Sequence, residues 1–208
     1  MTALHPIAIA CRRLPVLLLG VMMAAGAVAA PPLVLDDGHR LSGKWQFLNG
    51  GEFPGARGGL QAGPAGIELV YDFTQGGQYV AASRNLAVSG RPAAFAFRLT
   101  PAQDCAVFCR VIDANGRTFQ RAAAPLNGGA ETVLELPLAG PWSGNWGGQA
   151  NCPELTLPVR TVCLGIEKGG AGQALRGTVT IRDVTATGDG LAAGGAAGEP
   201  FVLDAQGW

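Results

Sequence analysis

The sequence predicts an all-β protein, a β-sandwich in the form of a jelly roll of two antiparallel sheets. Three observations carry that prediction. Apolar residues recur with a period of two in short runs, as Phe95, Phe97 and Leu99 do within Pro92–Thr100. Gly and Pro, 32 and 14 of the 208 residues, punctuate the chain where tight turns would join strands. Outside the first thirty residues no segment sustains the 3.6-residue period of an amphipathic helix.

The elements follow in order. Leu33-Val34-Leu35 enters a turn at Asp36-Asp37-Gly38, and Leu41–Leu48 continues extended with Trp45 and Phe47 on one face. Asn49–Gly55 reads as a loop, Ile67–Phe73 as a half-buried strand, and Gln78–Ala82 as the start of another after the Gly76-Gly77 turn. Pro92–Thr100 comes next. Ala106–Ile112 and Thr118-Phe119-Gln120 flank Asp113-Ala114-Asn115-Gly116, a hairpin signal, because Asn and Gly both tolerate positive φ. Thr132–Leu138, Val159–Ile166 and Gly177–Val184 complete a set of roughly ten short strands.

The domain is expected over residues 31–187, and the nearly pure Gly and Ala of 188–199 read as a linker. Beyond it, Pro200-Phe201-Val202-Leu203-Asp204-Ala205 echoes Pro32-Leu33-Val34-Leu35-Asp36-Asp37. Residues 200–208 are therefore either a terminal strand that docks back or the opening of a further domain.

Residues 1–30 read as a secretion signal: Arg12 and Arg13, an apolar run Leu14–Ala25, and the small-x-small pattern Ala27-Val28-Ala29. A secreted or periplasmic location follows, without a membrane anchor, because the apolar run is short and closes at Pro31-Pro32. Removing Arg12 and Arg13 from the 15 basic side chains leaves 13 against 15 acidic ones. With no basic run, nucleic acid is not an expected partner. The remaining length suits one domain with a substantial core, and a monomer is expected.

Cys105, Cys109, Cys152 and Cys163 remain after export, and an even number in an oxidising compartment predicts two disulfides. On one extended strand Cys105 and Cys109 would lie about 13 Å apart, beyond disulfide reach, so each is expected to pair with the 152–163 segment. A zinc site is disfavoured, since His39 is the one imidazole left.

The most informative stretch is Pro141–Pro153, P-W-S-G-N-W-G-G-Q-A-N-C-P, which sets two indoles among Gly, Asn, Ser and Gln. Its glycines and polar side chains argue against a regular core element. An indole offers a broad apolar face on which the C–H face of a pyranose can stack, while neighbouring amides take hydroxyls. Each indole is read either as such a platform or as a cap on the core. Trp142, close after the Thr132–Leu138 strand, is the expected cap; Trp146, flanked by Asn145 and Gly147-Gly148, is the expected sugar contact. Arg110 and Gln120 are polar groups inside apolar strands, and Tyr79 and Arg84 are similar candidates on a neighbouring segment.

In order along the chain, Val34-Leu35-Asp36-Asp37, Trp45, the Val107–Phe119 hairpin, the Trp142–Gly148 loop and Gly177–Val184 resemble the jelly-roll carbohydrate-binding modules of the galactose-binding-like superfamily, often attached to glycoside hydrolases. The resemblance covers Leu33–Thr187. It implies glycan binding on a concave sheet face or at loops on one edge, with a polysaccharide or oligosaccharide as partner. It also implies a structural calcium between first and last strands, for which Asp36, Asp37 and Asp183 are the matching carboxylates. The four cysteines and the Gly- and Ala-rich tail depart from the usual pattern.

Catalysis finds little support. A serine hydrolase would have only His39 as base, and no G-x-S-x-G elbow occurs. No nucleotide-binding glycine motif follows a strand and opens a helix. A glycoside hydrolase or polysaccharide lyase remains the alternative to a non-catalytic binding module, with Glu52, Glu68, Asp72, Asp113, Glu135 and Glu167 as the available acids.

Overall fold

Phe95, Phe97 and Leu99, the alternating trio, all point into the interior of a sandwich of two six-stranded antiparallel sheets, seen in a computed structural model that describes residues 30–149, 153–169 and 172–194. Residues 1–29, which carry the expected export signal, and residues 200–208 lie outside the described residues. Among the described residues there are twelve strands: β1 (Leu33–Asp36), β2 (Trp45–Leu48), β3 (Arg57–Gly63), β4 (Gly66–Asp72), β5 (Tyr79–Asn85), β6 (Val88–Pro101), β7 (Cys105–Ile112), β8 (Arg117–Leu126), β9 (Thr132–Pro137), β10 (Gly144–Gly147), β11 (Thr161–Glu167) and β12 (Arg176–Ala193). The described residues contain no helix, and hence none long and apolar enough to cross a membrane.

The first sheet runs β3-β4-β12-β6-β9, with β1 also paired to β12; the second runs β10-β8-β7-β11-β5-β2. Between them lie Ile67, Leu69, Tyr71, Val179 and Ile181 from the first, and Val80, Val111, Phe119, Leu164 and Ile166 from the second. A register shift between Ile181 and Asp183 lets Ile181 and Val184 both face inward, as a bulge does when it inserts an extra residue. The second sheet is also apolar on its other side, where Tyr79, Ala81, Phe108 and Cys163 cluster with Leu48 against them. That is why β5 and β11 are buried over six consecutive residues each rather than at every second one.

Four expectations change. Residues 188–193 are strand rather than linker: β12 continues against β6 as far as Ala193 opposite Val88, with register shifts after Thr187 and Asp189 absorbed near Gly188 (φ 150°) and Gly190 (φ 61°). The tryptophan loop contains a four-residue edge strand, β10, paired to β8 through Trp146 opposite Thr118. The 113–116 turn uses positive φ at Gly116 alone, not at Asn115, and the Asp113 carboxylate accepts the backbone N–H groups of Asn115, Arg117 and Thr156 at 2.8, 2.9 and 3.0 Å. No disulfide joins Cys105, Cys109 and Cys163, which are buried free thiols; Cys152 lies outside the described residues. Cys109 faces the inter-sheet core while Cys163 faces the opposite side of the sheet, which keeps those two sulfurs apart. Burial pushes the Cys105 and Cys163 thiols up to about 11.

Candidate functional site

The outer face of the second sheet is recessed into a cleft of about 530 Å³, lined by side chains from β5, β7, β8, β10 and β11 and by the loop after β2. Its floor depends on one glycine. Phe108 of β7 lies across Gly165 of β11, its register partner, and a β-carbon there would run into the Phe108 ring.

Arg110 is the centre of the site. Its guanidinium stands 4.4 Å from the Phe108 ring, 4.7 Å from Tyr79 and 5.1 Å from Trp146, and its Nε donates to Gln120 Oε1 at 2.7 Å. Contacts of this kind hold a planar cation against π-faces, and they strengthen when water is excluded. Here Arg110 is 7% exposed. Tyr79 meets Phe108 edge to face at 5.5 Å, and its hydroxyl donates to Glu52 Oε1 at 2.7 Å. Burial, with the Glu52 carboxylate adding and Arg110 opposing, pushes the Tyr79 hydroxyl up to about 12, so it stays a neutral donor.

Trp146 forms the wall at one edge. The edge strand that carries it is fastened by β8: Arg117 Nε and Nη2 donate to Asn145 Oδ1 at 3.1 and 2.6 Å, and Nη1 donates to the carbonyls of Gly147 and Gln149 at 3.3 and 3.4 Å. Ser143 N and Oγ both donate to the Gln120 carbonyl. Arg121 donates to the carbonyls of Pro137, Ala139 and Pro141 while its guanidinium stacks 4.4 Å from Trp142.

The sequence-selected residues thus divide. Trp146, Arg110, Gln120 and Tyr79 converge on the cleft. Trp142 packs on the core, 5.5 Å from Phe119. Asn145 is occupied by Arg117 beside the cleft. Arg84 sits elsewhere: its Nε donates to Asp36 Oδ2 at 2.9 Å and its Nη2 to the Leu35 carbonyl, a buried tie between β5 and β1. Phe53, Gln78 and Phe108, which sequence reasoning missed, also line the cleft, as do Glu52 and Glu167, expected there only as acids available to a hydrolase. Phe108 had a signal in Val107-Phe108-Cys109, where apolar residues at successive positions mark a strand covered on both faces.

Asp36, Asp37 and Asp183, the carboxylates expected at a calcium, each accept hydrogen bonds from donors of the chain. Asp36 faces the Arg84 guanidinium and also accepts from Trp45 Nε1 at 3.0 Å; Asp37 accepts the His39 N–H; Asp183 accepts from Arg98 at 2.8 Å. Among the described residues no group of three or more His, Cys, Asp or Glu side chains could hold a metal ion.

No family model and no curated protein matches the sequence. Solved structures do match. The family 11 carbohydrate-binding module of the cellulosomal cellulase Lic26A-Cel5E of Clostridium thermocellum is 15% identical and superposes with a TM-score of 0.53 over 77% of this chain and 96% of its own. The fold shared with that module is a β-jelly roll of two antiparallel sheets. The family 11 module from Clostridium thermocellum in complex with a β-1,3-1,4-mixed-linked tetrasaccharide gives the same score at 14% identity, over 77% and 98% of the two chains. PfGH50B matches at 10% identity and a TM-score of 0.50 over 74% of this chain but 24% of its own, so there the jelly roll is one part of a longer chain.

Proposed function

We propose that this protein is an exported, non-catalytic carbohydrate-binding module that holds a neutral polysaccharide or oligosaccharide in the cleft of the second sheet. The observation that carries the reading is the cleft's composition: an indole wall, an aromatic floor gripping an arginine, and Gln78, Gln120, Glu52 and Glu167 around them. Apolar faces stack on sugar rings, and amides and carboxylates take hydroxyl groups. The solved family 11 module carrying a mixed-linked tetrasaccharide lends the reading support.

Charge narrows the ligand. Arg110 is bonded to Gln120 and enclosed by rings, whereas Glu52 and Glu167 lie exposed. An incoming uronate polymer therefore meets like charge, and an uncharged glycan meets acceptors for its hydroxyls. In affinity electrophoresis against mixed-linked glucan, glucomannan, agarose and alginate, the wild type is expected to be retarded by a neutral polymer and not by alginate. Trp146→Ala should weaken that retardation about fivefold, the equivalent of one stacked ring. Absence of retardation by every neutral polymer, or an unchanged Trp146→Ala, overturns the reading. The hydrolase alternative needs two carboxylates opposed about 5 to 9.5 Å apart across a glycosidic bond. Glu52 is already committed to the Tyr79 hydroxyl. Release of reducing ends from a bound polymer, lost in Glu167→Gln, would favour that alternative instead.

A further inference from the structure

We infer that Phe53 is a second stacking platform of the same cleft, so that the bound glycan is a stretch of several sugars reaching from Trp146 to Phe53; this rests on the carbohydrate-binding reading above. The rings of the cleft are not equally available. Tyr79 and Phe108 are 5% and 3% exposed, their faces turned to Arg110. Trp146 is half-buried, and Phe53 is 46% exposed in a protein whose largest apolar side chains are mostly covered. The ring surfaces a ligand can reach are therefore those of Trp146 and Phe53. An exposed phenyl group loses favourable burial that a free loop would regain by folding it inward.

The loop is not free to do so. Gly50, buried with φ 60°, lies so close to Tyr79 that a β-carbon would stand 3.1 Å from its ring. Phe53 N donates to the Gly50 carbonyl at 2.8 Å, and the preceding residue, Glu52, is bound by the Tyr79 hydroxyl. These contacts fix the base of the loop and leave Phe53 at the rim.

The two rings also come from opposite edges of the sheet. Trp146 belongs to edge strand β10, and Phe53 to the loop after the other edge strand, β2, with β8, β7, β11 and β5 between them. Adjacent strands lie about 4.8 Å apart, so the span exceeds one pyranose ring even with side chains leaning inward. A chain laid between them passes over Arg110 and Tyr79 and brings its hydroxyls to Gln120, Gln78 and Glu167.

The test is a length series. Oligosaccharides of two to six units are prepared from whichever of mixed-linked glucan, glucomannan or agarose retards the wild type, and their affinities for wild type, Phe53→Ala, Phe53→Trp and Trp146→Ala are measured by calorimetry. Wild-type affinity should climb with length. Phe53→Ala should lose about fivefold on the longest oligosaccharide and nothing on the shortest, while Phe53→Trp retains or exceeds wild-type affinity. Because Phe53 is exposed, both variants should melt with the wild type. Equal affinities of wild type and Phe53→Ala at every length, with Trp146→Ala still impaired, overturn the second platform and leave the module reading intact. Failure of all three polymers to bind the wild type overturns both.

Discussion

Replacing Arg110 by Met retains a long, flexible side chain between the Tyr79, Phe108 and Trp146 rings and removes the charge. Three cation–π contacts disappear, each about 0.5 to 2 kcal/mol depending on desolvation, together with a charge-assisted hydrogen bond to Gln120 of about 1.5 to 3 kcal/mol. Against these stands the cost of keeping a guanidinium out of water, which Met does not incur. Gln120 is only half-buried and can turn to solvent. A net loss of about 2 kcal/mol is expected. For a domain of this length that lowers Tm by about 4 to 8 °C, readable by differential scanning calorimetry. Tryptophan emission should shift as well, since Trp146 loses its inner neighbour. A Tm within a degree of wild type and unchanged emission would show that the rings and the guanidinium are merely adjacent.

Two further predictions follow from buried groups. Asp36→Ala strands the Arg84 guanidinium, 7% exposed, without its carboxylate, and should cost about 3 to 5 kcal/mol in a urea titration. With Asp36 held by Arg84, a chelator should leave the wild-type midpoint unchanged, and a fall in the midpoint would show a bound calcium. The Tyr71 and Tyr79 hydroxyls are each pushed up to about 12, chiefly by burial, so their neutral forms are favoured in the folded state. Unfolded tyrosine loses its proton near pH 10, so the associated stability is intact below pH 10 and declines between pH 10 and 12. The buried Cys105 and Cys163 thiols, at about 11, begin the decline near pH 9. Urea midpoints measured from pH 8 to 12 should trace it, and a midpoint rising over that range would refute the burial argument.

The sandwich was legible because its interior strands alternate: Phe95, Phe97 and Leu99 in β6, and Ile67, Leu69 and Tyr71 in β4, announce their inward face without reference to any partner. Edge strands did not announce themselves. β3 offers Leu60 as its one large apolar residue, and the glycines of β10 and of the end of β12 lower local strand propensity, so pairing with β4, β8 and β6 decides those segments. The site was half legible for a related reason. Arg84 and Arg110 look alike in sequence, each a cation in an apolar strand; what separates them is that Asp36, 48 residues earlier, meets the first and three rings meet the second. Such long-range partnerships leave no periodic trace. Glu52 and Phe53 lie in a glycine-rich loop with no period at all, and they enter the cleft only because Tyr79 fastens the loop above it.

Arg117 and Arg121, on either side of Gln120 in β8, spend their donors on backbone carbonyls and on Asn145 beneath the tryptophan wall. Their consequence is kinetic. Under the glycan binding proposed above, a wall assembled before any sugar arrives asks for no rearrangement at the moment of encounter, so ordering entropy is not drawn from the few weak contacts a glycan makes. Association would then proceed at much the same rate for every chain that fits the cleft, and preference for one polymer over another would be a matter of residence time.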